Sequence, residues 1–378
     1  MRLFIEQLWS ATSEGKPLTR RALFFWQLLK AFSVIYTVAL LVRRLALSCK
    51  VAPRASLPGP VIAVGNLTVG GTGKSVFVEW LARQSNFFDR PAVLLGGYQS
   101  PVLRKQKTFV VADGHKIFGD ATQLGDEPLQ IAEGYGVAVA IGKDRHEALL
   151  LLLRAMKPML PDAVILDDGY QTATIHKDCS ILLVDARAPF GNGYLFPAGP
   201  LRERDYSRAD IIVLTHADSI LVSLSDFKKH YFPSLNPIAI VAGRHAFAGL
   251  FSAAGEPIEI STAQPVVLCS GIAKPRNIEV TVQREGFTIN DHIVFPDHHL
   301  YTDHDIKKII THMLQAGCST LLTTSKDWTK LRLFSESFDV AGILCLIVKI
   351  RFEFLTTHEY ATFVALLQNV LVEGRAAR

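Results

Sequence analysis

Six uninterrupted apolar runs mark the middle of the chain: Val61–Val64, Ala92–Leu95, Val137–Ile141, Ala163–Leu166, Ile181–Val184 and Ile211–Leu214. Between them lie amphipathic stretches of helical period. A run without polar alternation predicts a strand buried on both faces, and strands alternating with helices predict a mainly parallel sheet covered on both sides. The pattern pauses around Lys228–Pro237 and then resumes. Strands are expected at Ile238–Val241, Val266–Cys269, Thr320–Thr323 and Ile343–Val348, and helices at Asp303–Ala316 and Thr357–Val372. Three segments follow from this: 1–50, a first α/β domain over 51–232, and a second, smaller α/β domain over 233–378.

The N-terminal segment has a pattern of its own. From Ala22 to Val42 the only polar side chains are Gln27, Lys30, Ser33 and Thr37, which share one side of a helix. Arg20-Arg21 and Arg43-Arg44 flank this run, so the charge asymmetry of a single membrane span is missing. The sequence therefore predicts a membrane-associated helix that dips into or lies on an anionic leaflet. Charge supports this: residues 1–50 carry eight Lys/Arg against two acids, a net +6, while the other 328 residues sum to −1. A nucleic-acid surface on the globular part is thereby excluded, and no protein partner is indicated. Removing residues 1–50 is expected to release the chain from membranes, and to harm activity on vesicles more than on dispersed substrate. The five cysteines are scattered without a C-x-x-C pair, as in a reducing compartment.

Between Val61 and Ala82 a buried-strand pattern breaks into glycines and resumes as a helix at Lys74-Ser75, the layout of a phosphate-binding loop. Its expected nucleotide-binding residues are Thr68, Val69, Gly70, Gly71, Thr72, Gly73, Lys74 and Ser75. Thr68 occupies the usual first-glycine position. Backbone N–H groups would turn toward the anion, Lys74 would reach the β- and γ-phosphates, and the Ser75 hydroxyl would hold Mg²⁺. The fold expected is a P-loop NTPase-like α/β sheet with helices on both faces, plus the second domain and the N-terminal helix. ATP and Mg²⁺ are the implied co-substrate and cofactor.

Asp167 and Asp168 follow the run Ala163–Leu166, so both carboxylates belong at the carboxyl edge of a strand, where open α/β sheets bind ligands. They are candidate Mg²⁺ ligands, with Asp185 as the alternative. Gly125-Asp126-Glu127-Pro128 and Phe295-Pro296-Asp297-His298-His299 form two further clusters. Taken singly, the first reads as helix N-terminal acids and the second as loop histidines.

Read in order, GNLTVGGTGKS, GDEP, DDGYQ, GNGYLFPAGPLRE, CSGIAKPRNI, FPDHHLYTDHDI and TTSKDWTKL resemble the tetraacyldisaccharide 4'-kinase family, with agreement from about Val61 to Leu331. The resemblance implies transfer of the ATP γ-phosphoryl group to the 4'-hydroxyl of a tetraacyldisaccharide 1-phosphate, a lipid A precursor. The product is lipid IVA, made at the cytoplasmic face of the inner membrane. It further implies Lys74 and Ser75 on the nucleotide, Asp167 and Asp168 at Mg²⁺, and a base pair made of Asp126 and His298. Arg202 and Glu203 match further site positions. With Asp126 and His298 in different expected domains, the pair should form on domain closure. Three positions depart from the family pattern: Gly96 stands where an arginine is usual, Thr172 where a histidine is, and the THAD stretch at 215–218 lacks a lysine. A degenerate THAD leaves two other readings, a P-loop GTPase or metal-insertion chaperone; a third is a non-catalytic membrane adaptor.

Overall fold

The computed structural model describes residues 2–48, 59–98, 100–233 and 239–376. Cys49, Lys50, Pro53, Pro58, Gln99, Pro237 and Ile238, the expected break at 50/51, and the side chains of Arg43 and Arg44 lie outside the described residues. Among those described, thirteen strands follow one another. They are β1 (Val61–Asn66), β2 (Pro91–Leu95), β3 (Thr108–Asp113), β4 (Ala138–Gly142), β5 (Ala163–Asp167), β6 (Cys179–Asp185), β7 (Ile211–Thr215), β8 (Ala239–Phe251), β9 (Pro257–Ile258), β10 (Val266–Ser270), β11 (Ile289–Val294), β12 (Thr320–Thr324) and β13 (Leu344–Phe354). The α/β, mainly parallel class read from the apolar runs is the one observed.

The chain forms two compact units, each gathering separated stretches rather than one continuous segment. The first holds Met1–Lys74, Ala163–Arg244 and Phe354–Arg378; the second holds Ser75–Asp162 and His245–Glu353. In the first unit the strand order is β8-β7-β6-β1-β5, all parallel. Strands β1, β5, β6 and β7 are buried at every position, which is why they read as unbroken apolar runs. The register pairs Val64 with Asp167, so the end of β1 lies beside the first acid of the DDGYQ turn. Leu182, Val184, Ile212, Leu214, Phe227 and Phe232 belong to this unit's core.

The second unit contains β2-β4-β3, with β3 antiparallel to β4, and the parallel set β11-β10-β12-β13. Helix Asp303–Gln315 packs through Ile306, Ile309 and Met313, spaced at three and four residues as one buried face requires. It opens on a reciprocal capping box between Thr302 and Asp305. Helix Asp126–Tyr135 meets the helix Ser325–Leu331 and the turn after it through Lys330 Nζ on Asp126 Oδ2 at 3.1 Å and Arg332 Nη2 on Glu133 at 2.7 Å.

Two helices open the chain, α1 (Arg2–Ser13) and α2 (Arg20–Ser48). The stretch Arg20–Val42 is long and apolar enough to cross a membrane, and only 11% of its most apolar window is buried. Its polar stripe meets the protein itself. Ser33 Oγ donates to Leu195 O at 2.8 Å and accepts from Ala198 N at 3.0 Å, and Lys30 Nζ lies 4.3 Å from the centre of the Trp26 ring. Trp26 Nε1 donates to Ala198 O, Trp9 Nε1 to Pro197 O and Tyr36 OH to Arg202 O. The polar side thus grips the loop Gly191–Glu203, whereas Phe24, Phe32, Ile35, Val38 and Leu45 form an exposed apolar face.

Candidate active site

In the first unit the strand β1 runs into Leu67–Gly73, and α3 (Lys74–Ala82) starts at the predicted lysine. Gly73, at φ +80, takes a left-handed turn that a side chain would strain, and it delivers Lys74 to the helix start. Lys74 Nζ lies 3.0 Å from Asn66 Oδ1 and 3.0 Å from Asp168 Oδ1. Asn66 in turn donates to Thr68 O and Thr72 Oγ1, and Thr215 Oγ1 donates to Thr72 O. The loop conformation is therefore held from β1 and from β7. Ser75 follows in the first turn of α3, partly exposed.

Asp168 closes the cluster. Its two oxygens accept from Arg202 Nη1 at 3.0 and 2.8 Å, and its backbone is left-handed at φ 54. Burial opposes its charge, but Lys74 and Arg202 outweigh that and draw the carboxyl down to about 2. The turn after it is pinned by Gly169 N on Val64 O, Gln171 Nε2 on Asn66 O, and Lys177 Nζ on Tyr170 O. Burial pushes Lys177 down to about 8. Arg202 is delivered by a short strand-like contact, with Val69 N donating to Pro200 O and Arg202 N to Leu67 O, both at 2.7 Å. Glu203 turns elsewhere: its Oε2 accepts from Arg208.

Asp167 is buried at the end of β5 beside this cluster. Two adjacent carboxylates, one held ionised by its neighbours, are hard oxygen donors of the kind Mg²⁺ takes, so their chemistry fits the ion. Asp185, the alternative ligand, is in a bidentate pair with Arg187 at 2.9 and 2.7 Å, which satisfies its charge within the protein.

In the second unit Asp126 begins its helix at the N-terminus, where the helix dipole favours a carboxylate. Both of its oxygens lie 3.1 Å from His298 Nδ1, so the pair suggested by the resemblance is in contact. Because both residues belong to one unit, the expectation that closure of two domains would create the pair is corrected. Lys330 Nζ lies 3.1 Å from Asp126 Oδ2, and Lys326 Nζ lies 3.2 Å from His298 Nε2. Burial disfavours the charge of Asp126, yet His298, Lys326 and Lys330 hold its carboxyl well below the usual range. His298 has φ 61 and the exposed Tyr98 ring 6.4 Å away. His299 points differently: its Nε2 contacts Asp305 at 3.1 Å and its ring stacks on Phe295.

Lys326 and Lys330 lie in the TTSKDWTKL motif, to which the sequence reading assigned no role; their spacing of four on a helix was the signal available. At Gly96, a built Cβ would come within 3.1 Å of the Arg145 guanidinium, so an arginine from another segment already fills the space beside the position where a family arginine is missing.

A phosphate loop leading from a strand of a parallel sheet into a helix, with paired carboxylates at the end of a neighbouring strand, is the arrangement of a P-loop nucleotide-binding protein. Residues 25–371 match the family model for tetraacyldisaccharide-1-P 4'-kinase. The tetraacyldisaccharide 4'-kinase of Geobacter metallireducens is 35% identical over 308 residues, covering 80% of this chain and 88% of that protein. That of Pelobacter propionicus is 34% identical over 336 residues, covering 85% and 88%. LpxK from Aquifex aeolicus, solved in complex with ATP, superposes with a TM-score of 0.71 at 26% identity, over 92% of this chain and 99% of that one. The chain belongs to the tetraacyldisaccharide 4'-kinase family, kinases of lipid A biosynthesis that transfer phosphate to a hydroxyl.

Proposed function

We propose that this kinase transfers the γ-phosphoryl group of ATP to the 4'-hydroxyl of tetraacyldisaccharide 1-phosphate, forming lipid IVA at the cytoplasmic face of the inner membrane. The contact of Asp126 with His298 carries the proposal, because a sugar hydroxyl is a poor nucleophile at neutral pH and needs a base. His298 Nδ1–H is donated to Asp126, which leaves the Nε2 lone pair to take the hydroxyl proton. The sugar oxygen then bonds to the γ-phosphorus while the bond to the β–γ bridging oxygen breaks, and that oxygen leaves with ADP. Lys74 and the amides of Thr68, Val69, Gly70, Gly71, Thr72, Gly73 and Ser75 offset charge on the phosphates. Ser75, Asp167 and Asp168 are the residues to hold Mg²⁺, which when bound neutralises phosphate charge. Arg202 and Lys74, both paired with Asp168, set that carboxylate's orientation.

The membrane surface is the proposed site of work. The exposed apolar face of α2 supports this, since ten or so large apolar side chains facing outward from one helix have no place in water. Incubation of the purified chain with γ-labelled ATP and the dispersed disaccharide tests the function. Label should appear on the lipid and disappear with Lys74→Ala; release of free phosphate without labelled lipid refutes the acceptor.

A further inference from the structure

The helix Ser325–Leu331 sets an ammonium against each member of the proposed base pair. Lys330 Nζ is 3.1 Å from Asp126 Oδ2, and Lys326 Nζ, one turn earlier, is 3.2 Å from His298 Nε2. An ionised carboxylate only accepts hydrogen bonds, so Asp126 assigns the imidazole proton to Nδ1. Nε2 is then an acceptor, and the group that faces it is an ammonium, which only donates. Asp297 Oδ2 lies 3.7 Å from the same nitrogen, beyond hydrogen-bond range.

Lys326 has further partners of its own. Its Nζ lies 3.0 Å from Asp297 Oδ1 and 3.9 Å from Glu127 Oε1. Burial works against its charge, and Asp126, Glu127 and Asp297 more than compensate, keeping it an ammonium. The charged and titratable groups around His298 are thus Asp126, Glu127, Asp297, Lys326 and Lys330, with the Tyr98 ring at its edge. The register of the lysine helix is fixed by Asp327, fully buried, which accepts from Gly271 N, Tyr301 OH and Thr324 Oγ1. Two lysines four apart on a helix anchored in this way cannot slide along the pair.

We propose that Lys326 is a positioning residue for the base, holding the His298 imidazole by Nε2 until the acceptor hydroxyl takes its place, and remaining paired with Asp297 and Glu127 afterwards. The proposal rests on the reading of His298 as the base. The Nδ1 contact alone is shared evenly between two oxygens and leaves the ring free to rock about it; the second contact fixes the ring plane. Once Nε2 has gained the proton, imidazolium and ammonium repel, and the two carboxylates give Lys326 somewhere to stay.

The test uses the full chain with γ-labelled ATP and dispersed tetraacyldisaccharide 1-phosphate. The variants are Lys326→Met, Lys326→Arg, His298→Ala and the double variant Lys326→Met with His298→Ala. Lys326→Met should lower kcat by about tenfold or more with the ATP KM changed by less than about twofold, and Lys326→Arg should recover part of the loss. In the His298→Ala background, Lys326→Met should cost less than about twofold, because a residue acting through His298 has nothing left to act on. Wild-type kcat in Lys326→Met overturns the proposal, as does an undiminished loss in the His298→Ala background, which would place the ammonium on the substrate. Should Lys326→Met unfold, Lys326→Gln takes its place under the same criteria. Full activity in His298→Ala alone refutes the base reading, separately from any result at Lys326.

Discussion

The loop Gly191–Glu203 joins helix α2 to the phosphate loop, and cutting one side of that joint should slow the reaction without altering the membrane binding proposed for the exposed face of α2. On the helix side, Ser33 accepts from Ala198 N and Tyr36 donates to Arg202 O. On the other, Pro200 and Arg202 bond the loop Leu67–Val69 through the backbone, and the Arg202 side chain grips Asp168. Ser33→Ala leaves the N–H of Ala198 without its partner in a buried setting, a cost of about 1–3 kcal/mol, and Tyr36→Phe removes a bond worth about 1 kcal/mol. Leu195 O still accepts from Gly199 N, so its loss adds little. The double variant therefore removes about 2–4 kcal/mol of support from the loop. With Trp9 and Trp26 still bonded, we expect part of this to reach Arg202, lowering kcat on detergent-dispersed substrate by about three- to tenfold. The exposed face of α2 is untouched, so sedimentation with vesicles should be unchanged. Wild-type kcat in the double variant refutes the coupling, and loss of vesicle binding assigns the effect to the anchor. The same geometry revises what removal of residues 1–50 should do: it strips the loop of its backing, so activity on dispersed substrate should fall as well.

Lys74→Ala should lower kcat by about a hundredfold or more, since the ammonium lost stabilises phosphate charge, and should also lower the thermal midpoint modestly, since it removes one of the two cations paired with Asp168; near-normal turnover in a phosphoryl-transfer assay removes the phosphate-loop assignment. Asp167→Asn and Asp168→Asn should each raise the Mg²⁺ concentration needed for half-maximal rate, checked by Mg²⁺ titration, and Asp185→Asn should leave it unchanged because that carboxylate is occupied by Arg187. Lys177 is pushed from 10.5 to about 8 in the fold, so the unfolded chain binds more protons between those values and stability should rise with pH across that window. Unfolding free energies of wild type and Lys177→Met, measured from pH 7 to 10.5, should therefore diverge in favour of wild type as pH rises; the opposite trend refutes the assignment.

Much of the fold was legible because burial on both faces leaves a plain trace. Every expected strand of the central runs appears, with Ile181–Val184 growing to Cys179–Asp185 and Ile343–Val348 shifting to Leu344–Phe354. Strand β11 (Ile289–Val294) was missed because an edge strand is only partly buried, and its Asn290-Asp291-His292 reads as a turn. Strand β3, antiparallel and half-exposed at its start, hid between Lys107 and Asp113 for the same reason. At the candidate site, motifs singled out Lys74, Asp168, Asp126 and His298, and the structure adds contacts that motifs do not encode. Which carboxylate is already neutralised, as at Asp185, depends on a side-chain partner. That Ser33 serves a loop some 160 residues away is a tertiary fact, invisible to a helical wheel that shows only a polar stripe.

Local backbone rules fail at two of the candidate site residues. Among the described residues, Asp168, His216 and His298 are the non-glycine residues with positive φ. Such a conformation costs free energy and persists only where surrounding contacts over-determine it. At Asp168 those contacts are Lys74, Arg202 and the pinned Gly169–Gln171 turn; at His298 they are Asp126 and Lys326. A left-handed residue held from both sides is also stiff, which suits the roles proposed for Asp168 and His298. The same reasoning separates His298 from its neighbour: His299 has ordinary backbone, stacks on Phe295 and bonds the capping acid Asp305, so His299→Ala should lower the thermal midpoint more than it lowers kcat, whereas His298→Ala should do the reverse.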